Sequence, residues 1–135
     1  MNEAIEIGKQ FFKAIEKGDI ETVRNIYHPD VEIWHNVDGL GCRTTGQSRE
    51  ENIALLKMVT RIVRDWEYDV WYREATETGF VQQHILRGLL PKGEKLALPV
   101  CIIFQINDGQ ITWLDEYFDS ANAAQLKQAA RAAFA

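Results

Sequence analysis

Residues 95–118 read KLALPVCIIFQINDGQITWLDEYF, two β-forming runs divided by Asn107-Asp108-Gly109. Such a turn between apolar runs supplies the positive-φ residues of a tight hairpin, so 95–106 and 110–118 are expected to pair antiparallel. The same punctuation continues upstream. Pro91-Lys92-Gly93 separates 80–90 from 95–106, and Thr78-Gly79 separates 66–77 from 80–90. Gly and Pro at these spacings mark turns, and the four runs therefore read as a meander.

Before the meander the periodicity is helical. Ile5, Gly8, Phe12 and Ile15 recur on one face, widened by Phe11, with Asn2 as the expected cap and Gly18 at the left-handed C-terminal position. Asp19 then caps a short helix through Val23, Ile26 and Tyr27 that His28-Pro29-Asp30 ends, because the residue before proline avoids helical geometry. A first strand is predicted over 31–37, followed by a loop at Gly39, Gly41 and Gly46. Ser48 and Glu51 have the spacing of a reciprocal capping box and open a helix over about 49–63. Asp119-Ser120-Ala121-Asn122 caps a final helix rich in Ala. This order predicts a single α+β domain over 1–135: a curved mixed or antiparallel sheet wrapped around three N-terminal helices, with a C-terminal helix.

Composition narrows the class of function. At 135 residues the chain is long enough for one core, and 46% hydrophobic with 26% charged residues is a globular rather than a disordered balance. The net charge of −5 would repel a phosphate backbone, with Arg61, Arg64 and Arg73 the densest basic group, so no nucleic-acid partner is expected. Cys42 and Cys101 form neither a metal spacing nor a disulfide framework, and three histidines stand at no ligand spacing. No signal-type segment opens the chain, and its longest apolar run, 96–104, is far short of the roughly 20 residues that cross a bilayer. The expectation is a soluble cytoplasmic protein without membrane contact, metal or nucleotide cofactor.

The chemistry-bearing residues sit where structural strands would be apolar. His84 is central in 80–90, flanked by Gln82, Gln83 and Ile85, and an imidazole can exchange protons at neutral pH. It is the first choice for a base, against the plainer reading of a strand histidine satisfied by a neighbour. Glu116 shares a strand face with Thr112, Leu114 and Phe118. In an apolar interior its pKa would rise and it would act as an acid, forming a dyad with His84; on an exposed face it would be one half of an ion pair. In the first strand, Val31, Ile33, His35 and Val37 point one way, and Glu32, Trp34 and Asn36 the other. Either His35 or the pair Trp34 and Asn36 faces the interior, unless a bulge intervenes, and both sets are kept as candidates. Asn36 would orient the reacting group, and Phe12, Trp34, Leu98, Val100, Leu114 and Phe118 would wall the pocket. Strand 66–73 carries aromatics on both parities, so a second subunit is expected to cover part of the outer face as a homodimer.

The order helix, Gly18-Asp19, helix, His28-Pro29-Asp30, strand, capped helix and a meander ending in Asp108-Gly109-Gln110-Ile111 and Tyr117-Phe118-Asp119 resembles the cone-shaped nuclear transport factor-like superfamily. Within it the chain is most similar to the SnoaL-like group, which includes polyketide cyclases, limonene-1,2-epoxide hydrolase and, more distantly, ketosteroid isomerase. Leu90-Pro91-Lys92-Gly93 through Tyr117-Phe118-Asp119 resembles the second half of the epoxide hydrolase without a gap. That resemblance places Glu116 at one of its two aspartates, His84 at the other if one residue is inserted before Leu90, Gln82 at the bridging arginine, Trp34 at its tyrosine and Asn36 at its asparagine. Against the isomerase, the base falls on His35, while its two oxyanion donors have no counterpart. The resemblance implies a cofactor-independent hydrolase, isomerase or cyclase acting on a small hydrophobic molecule, with a non-catalytic binding or association module as the alternative.

Overall fold

The structure, a computed structural model, describes residues 3–37 and 46–134. Asn2, Gly39, Gly41 and Cys42, to which the sequence reading gave a cap, a loop and a thiol, lie outside the described residues. The elements are α1 (Glu3–Glu16), α2 (Ile20–Ile26), β1 (Tyr27–His35), α3 (Arg49–Ile62), β2 (Arg64–Ala75), β3 (Gly79–Leu89), β4 (Lys95–Asn107), β5 (Gln110–Phe118) and α4 (Ser120–Phe134).

Local chemistry accounts for most of these boundaries. Gly18 adopts φ +72°, and the bonds from Gly18 N–H to the Ile15 carbonyl (3.0 Å) and from Asp19 N–H to the Ala14 carbonyl (2.8 Å) close α1 in a Schellman motif. Asp19 also starts α2, accepting from the Thr22 backbone N–H (3.3 Å) and hydroxyl (2.6 Å). Ser48 and Glu51 form the expected reciprocal box: Ser48 Oγ accepts from Glu51 N–H at 3.2 Å and Glu51 Oε1 from Ser48 N–H at 2.9 Å. Asp108 (φ 51°) and Gly109 (φ 78°) supply the two positive-φ residues of the β4–β5 turn.

The five strands form one mixed sheet in the order β1-β5-β4-β3-β2, with β1 parallel to β5 and the other neighbours antiparallel. Two expectations about β1 are corrected. The strand starts at Tyr27 rather than 31 and ends at His35 rather than 37, so Pro29 lies inside it. An edge strand tolerates a missing donor, and the register with β5 is interrupted between Tyr27 and Glu32 around the proline. His28 Nδ1 accepts from Asp30 N–H at 3.0 Å within the same irregularity.

The inner face of the sheet meets α1 in an aromatic cluster. Phe80 and Phe104 stack at 4.5 Å with an interplanar angle of 14°, and Phe11 and Phe12 approach the Phe104 ring edge-on at 5.3 and 5.7 Å. Gly8 makes this approach possible, since a Cβ there would fall 2.1 Å from Phe80 Cζ. The mixed parity of β2 has a local cause. Val70 pairs with His84 and Tyr72 with Gln83, which leaves Trp71 as an extra residue in a bulge. Before the bulge Trp66 and Tyr68 face the interior; after it Arg73 reaches Gln82, and Trp71 stands 63% exposed.

Candidate functional site

Where α1, α3 and α4 diverge from the inner face of the sheet they leave a cavity of about 320 Å³. Its wall is largely apolar: Phe12 and Ile15 from α1, Leu56 and Val59 from α3, Leu98 and Ile102 from β4, Leu114 and Phe118 from β5, and Leu126 from α4. Such a lining with a few polar groups converging on it is the usual build of a small-molecule site.

The polar groups form three sets. His35 Nε2 lies 2.9 Å from Glu116 Oε1. A carboxylate only accepts, so the imidazole donates to it. The parallel register puts this pair together, because His35 is the Cα partner of Glu116 across β1 and β5. A second set joins helix to strand: the Tyr27 hydroxyl donates to Asn52 Oδ1 at 2.9 Å, and Asn52 Nδ2 donates to Gln47 Oε1 at 3.0 Å. Burial pushes the Tyr27 phenol well up, and the Glu116 charge adds to it; burial likewise raises Tyr68, so both rings stay protonated.

The third set lies on β3. His84 is 1% exposed, Gln82 fully buried. His84 Nδ1 is 2.9 Å from Gln82 Nε2, Gln82 Oε1 accepts from Arg73 Nε at 2.7 Å, and His84 Nε2 is buried with no partner. The rings of Tyr68 and Phe12 hold the imidazole edge-on at 4.8 and 5.4 Å. Burial lowers the His84 pKa to about 4; the Glu116 charge opposes this and the Arg73 charge assists it.

Of the residues singled out from sequence, His35, His84, Glu116, Phe12, Leu98, Leu114 and Phe118 line this cavity. Trp34, Asn36, Gln82 and Val100 do not, which corrects the expected wall positions of Trp34 and Val100, the orienting part given to Asn36 and the site position given to Gln82. Trp34 has the opposite parity from His35 and packs on the outer face against Tyr117, ring centres 5.4 Å apart. Asn36 extends the β1–β5 ladder instead: its N–H donates to the Glu116 carbonyl and its Oδ1 accepts from Phe118 N–H, both at 3.0 Å. Val100 is buried in the core, paired with His84 and Phe118 through the backbone ladder. Gln82 lies behind His84. His84 and Glu116 both line the cavity, and the imidazole bonded to the Glu116 carboxylate is that of His35. Asp119 has a capping part, accepting from Ala121 N–H at 2.8 Å. Cys101 is half-buried, and burial raises its thiol pKa.

Tyr27, Gln47, Asn52, Trp66 and Tyr68 also line the cavity, and the sequence reading passed over their part in it. Asn52 carried a signal, being an amide on the same helical face as Ile53, Leu56 and Val59.

A family model described as a SnoaL-like domain matches residues 9–114. No curated protein matches the sequence significantly. Several solved structures share the fold. One is an NTF2-like protein of unknown function from Burkholderia pseudomallei, 19% identical over 93% of this chain and 98% of that one, with a TM-score of 0.76. Another is an LEH-like epoxide hydrolase from M. tuberculosis, 22% identical over 98% and 94%, TM-score 0.72. A third is IdmH, a proposed polyketide cyclase from Streptomyces antibioticus, 17% identical over 94% and 99%, TM-score 0.77. At these identities the likeness speaks for the cone-shaped α+β fold and for no particular reaction.

Proposed function

The chain belongs to the SnoaL-like domain family, and from that premise we propose that it is a cofactor-independent acid–base enzyme of hydrolase, isomerase or cyclase type. Its substrate is a small hydrophobic molecule held in the cone cavity, and Glu116 is the group that takes and returns the proton. The observation that carries this reading is the Glu116 carboxylate, bonded to His35 Nε2 at 2.9 Å within an apolar wall. In that setting a bound substrate would meet the carboxylate beside a largely apolar wall, and His35 fixes the carboxylate's orientation. Glu116 removes a proton from a carbon or from an attacking water, becomes a carboxylic acid, and delivers the proton to the product.

The test is turnover of a panel of small cyclic epoxides and enolisable ketones, followed by product analysis. Conversion of at least one panel member supports the proposal. Saturable binding of panel members with no conversion of any would overturn catalysis in favour of a binding module.

We also propose that the protein forms a homodimer through the outer face of the sheet. Tyr72, Gln83, Cys101 and Tyr117 are register partners across four strands, with Ile103 in the adjoining row. Tyr72, Ile103 and Tyr117 are 44%, 37% and 39% exposed, an apolar area that a second copy would cover. Light scattering at micromolar concentration should give twice the chain mass, and Tyr117→Glu should shift it to the monomer. A wild-type monomer under those conditions would remove the dimer.

A further inference from the structure

We infer that His84 acts as a hydrogen-bond donor through Nε2–H to an uncharged oxygen acceptor of the bound molecule, held in that tautomer by Arg73 and Gln82 as positioning residues. The inference rests on the cavity being the substrate site. It deepens that reading by stating what the molecule must carry where it meets His84, and it replaces the expected role of His84 as a base.

The chain of donors and acceptors leaves one assignment. A guanidinium has only donors, so the Gln82 atom 2.7 Å from Arg73 Nε must be the amide oxygen. The amide nitrogen therefore faces His84, and an amide NH₂ only donates. His84 Nδ1, 2.9 Å away, must accept, which leaves it without a proton. The proton of the neutral ring then sits on Nε2, the one ring nitrogen with no partner. A doubly protonated ring would set Nδ1–H against the Gln82 NH₂, two donors face to face. Gln82 is fully buried, so water cannot take over either contact.

A buried donor left unpaired costs free energy that a ligand acceptor recovers. Tyr68 and Phe12 hold the imidazole plane, so the direction of Nε2–H is set before the ligand arrives. A carbonyl oxygen suits it; a cation or a pure hydrocarbon gains nothing there. During reaction a neutral donor stabilises negative charge growing on that oxygen without giving up its proton. Glu116 is then left as the proton acceptor, and the two groups have separate tasks.

The experiment uses the full chain and two readouts. Long-range ¹H–¹⁵N correlation spectra at pH 7 should show His84 with Nε2 protonated and Nδ1 bare. Gln82→Glu, which offers an acceptor instead of a donor, should move the proton to Nδ1; Arg73→Met, farther from the core, should produce a mixture of tautomers as the amide is released. The binding probes are 1-tetralone and tetralin, which differ by one carbonyl. Wild-type protein should bind 1-tetralone about tenfold more tightly, the scale of one net hydrogen bond, and Gln82→Glu should lose that preference. An Nδ1-protonated or charged ring in the wild type would overturn the inference. Equal binding of the two probes would also overturn it while leaving the cavity reading intact; binding of neither at millimolar concentration would overturn both.

Discussion

Glu116→Gln should lower turnover of any true substrate by about 10² to 10⁴, the usual worth of one positioned proton-transfer group, while the protein stays folded. The side chains match in shape, and the glutamine oxygen still accepts from His35 Nε2, so the 2.9 Å contact survives in weaker, uncharged form. What disappears is the capacity to take a proton. The Glu116 charge is a lesser cause of the raised Tyr27 and Tyr68 phenols, and burial keeps both protonated without it. The loss should therefore fall on kcat, with KM changed far less. Circular dichroism and thermal melts on the same sample separate this result from misfolding. Unchanged kcat in a folded variant would take Glu116 out of the mechanism and leave the cavity as a binding site.

The meander was legible because its turns are written in residue types that few other conformations use. Asp108-Gly109 has to hold positive φ twice, and Ser48 with Glu51 satisfies two orphan helix donors at once; neither depends on anything distant. The first strand was harder. Pro29 argues against a helix and says nothing about where pairing begins, and the parity of β1 is fixed only by its parallel register with β5, in which His35 meets Glu116. That register decides that His35 turns inward and Trp34 outward. The bulge at Trp71 leaves one trace in the sequence, aromatics on both parities of a strand, a pattern that a covered outer face would also produce. It brings Arg73 onto Gln82, and so the state of His84 depends on a contact between strands that no local pattern encodes.

Stability should fall on acidification from about pH 6.5 to pH 4, with His84 alone contributing about 3 kcal/mol to the fall. The sign follows from proton counting. In the unfolded chain the imidazole titrates near its reference value of about 6.5, whereas in the native fold burial holds it down to about 4. Across that window the unfolded state binds a proton that the native state refuses, so acid favours unfolding; above the window both forms are neutral, and below it both are charged. Among the charged and titratable groups around the ring, Arg73 keeps its charge throughout and Tyr68 stays protonated, so neither adds a step between these pH values. The negative charge of Glu116 opposes the shift without cancelling the effect of burial. His84→Gln removes the titrating ring and keeps an amide donor facing the cavity. Urea denaturation of the two proteins at intervals from pH 7 to pH 4 isolates the step, because His28 and His35 are common to both and cancel in the difference. Wild-type stability should then approach that of the variant by about 3 kcal/mol as the pH drops. Parallel curves would mean that the imidazole is protonated in the native fold as readily as in the unfolded chain, which the donor facing Nδ1 is built to prevent.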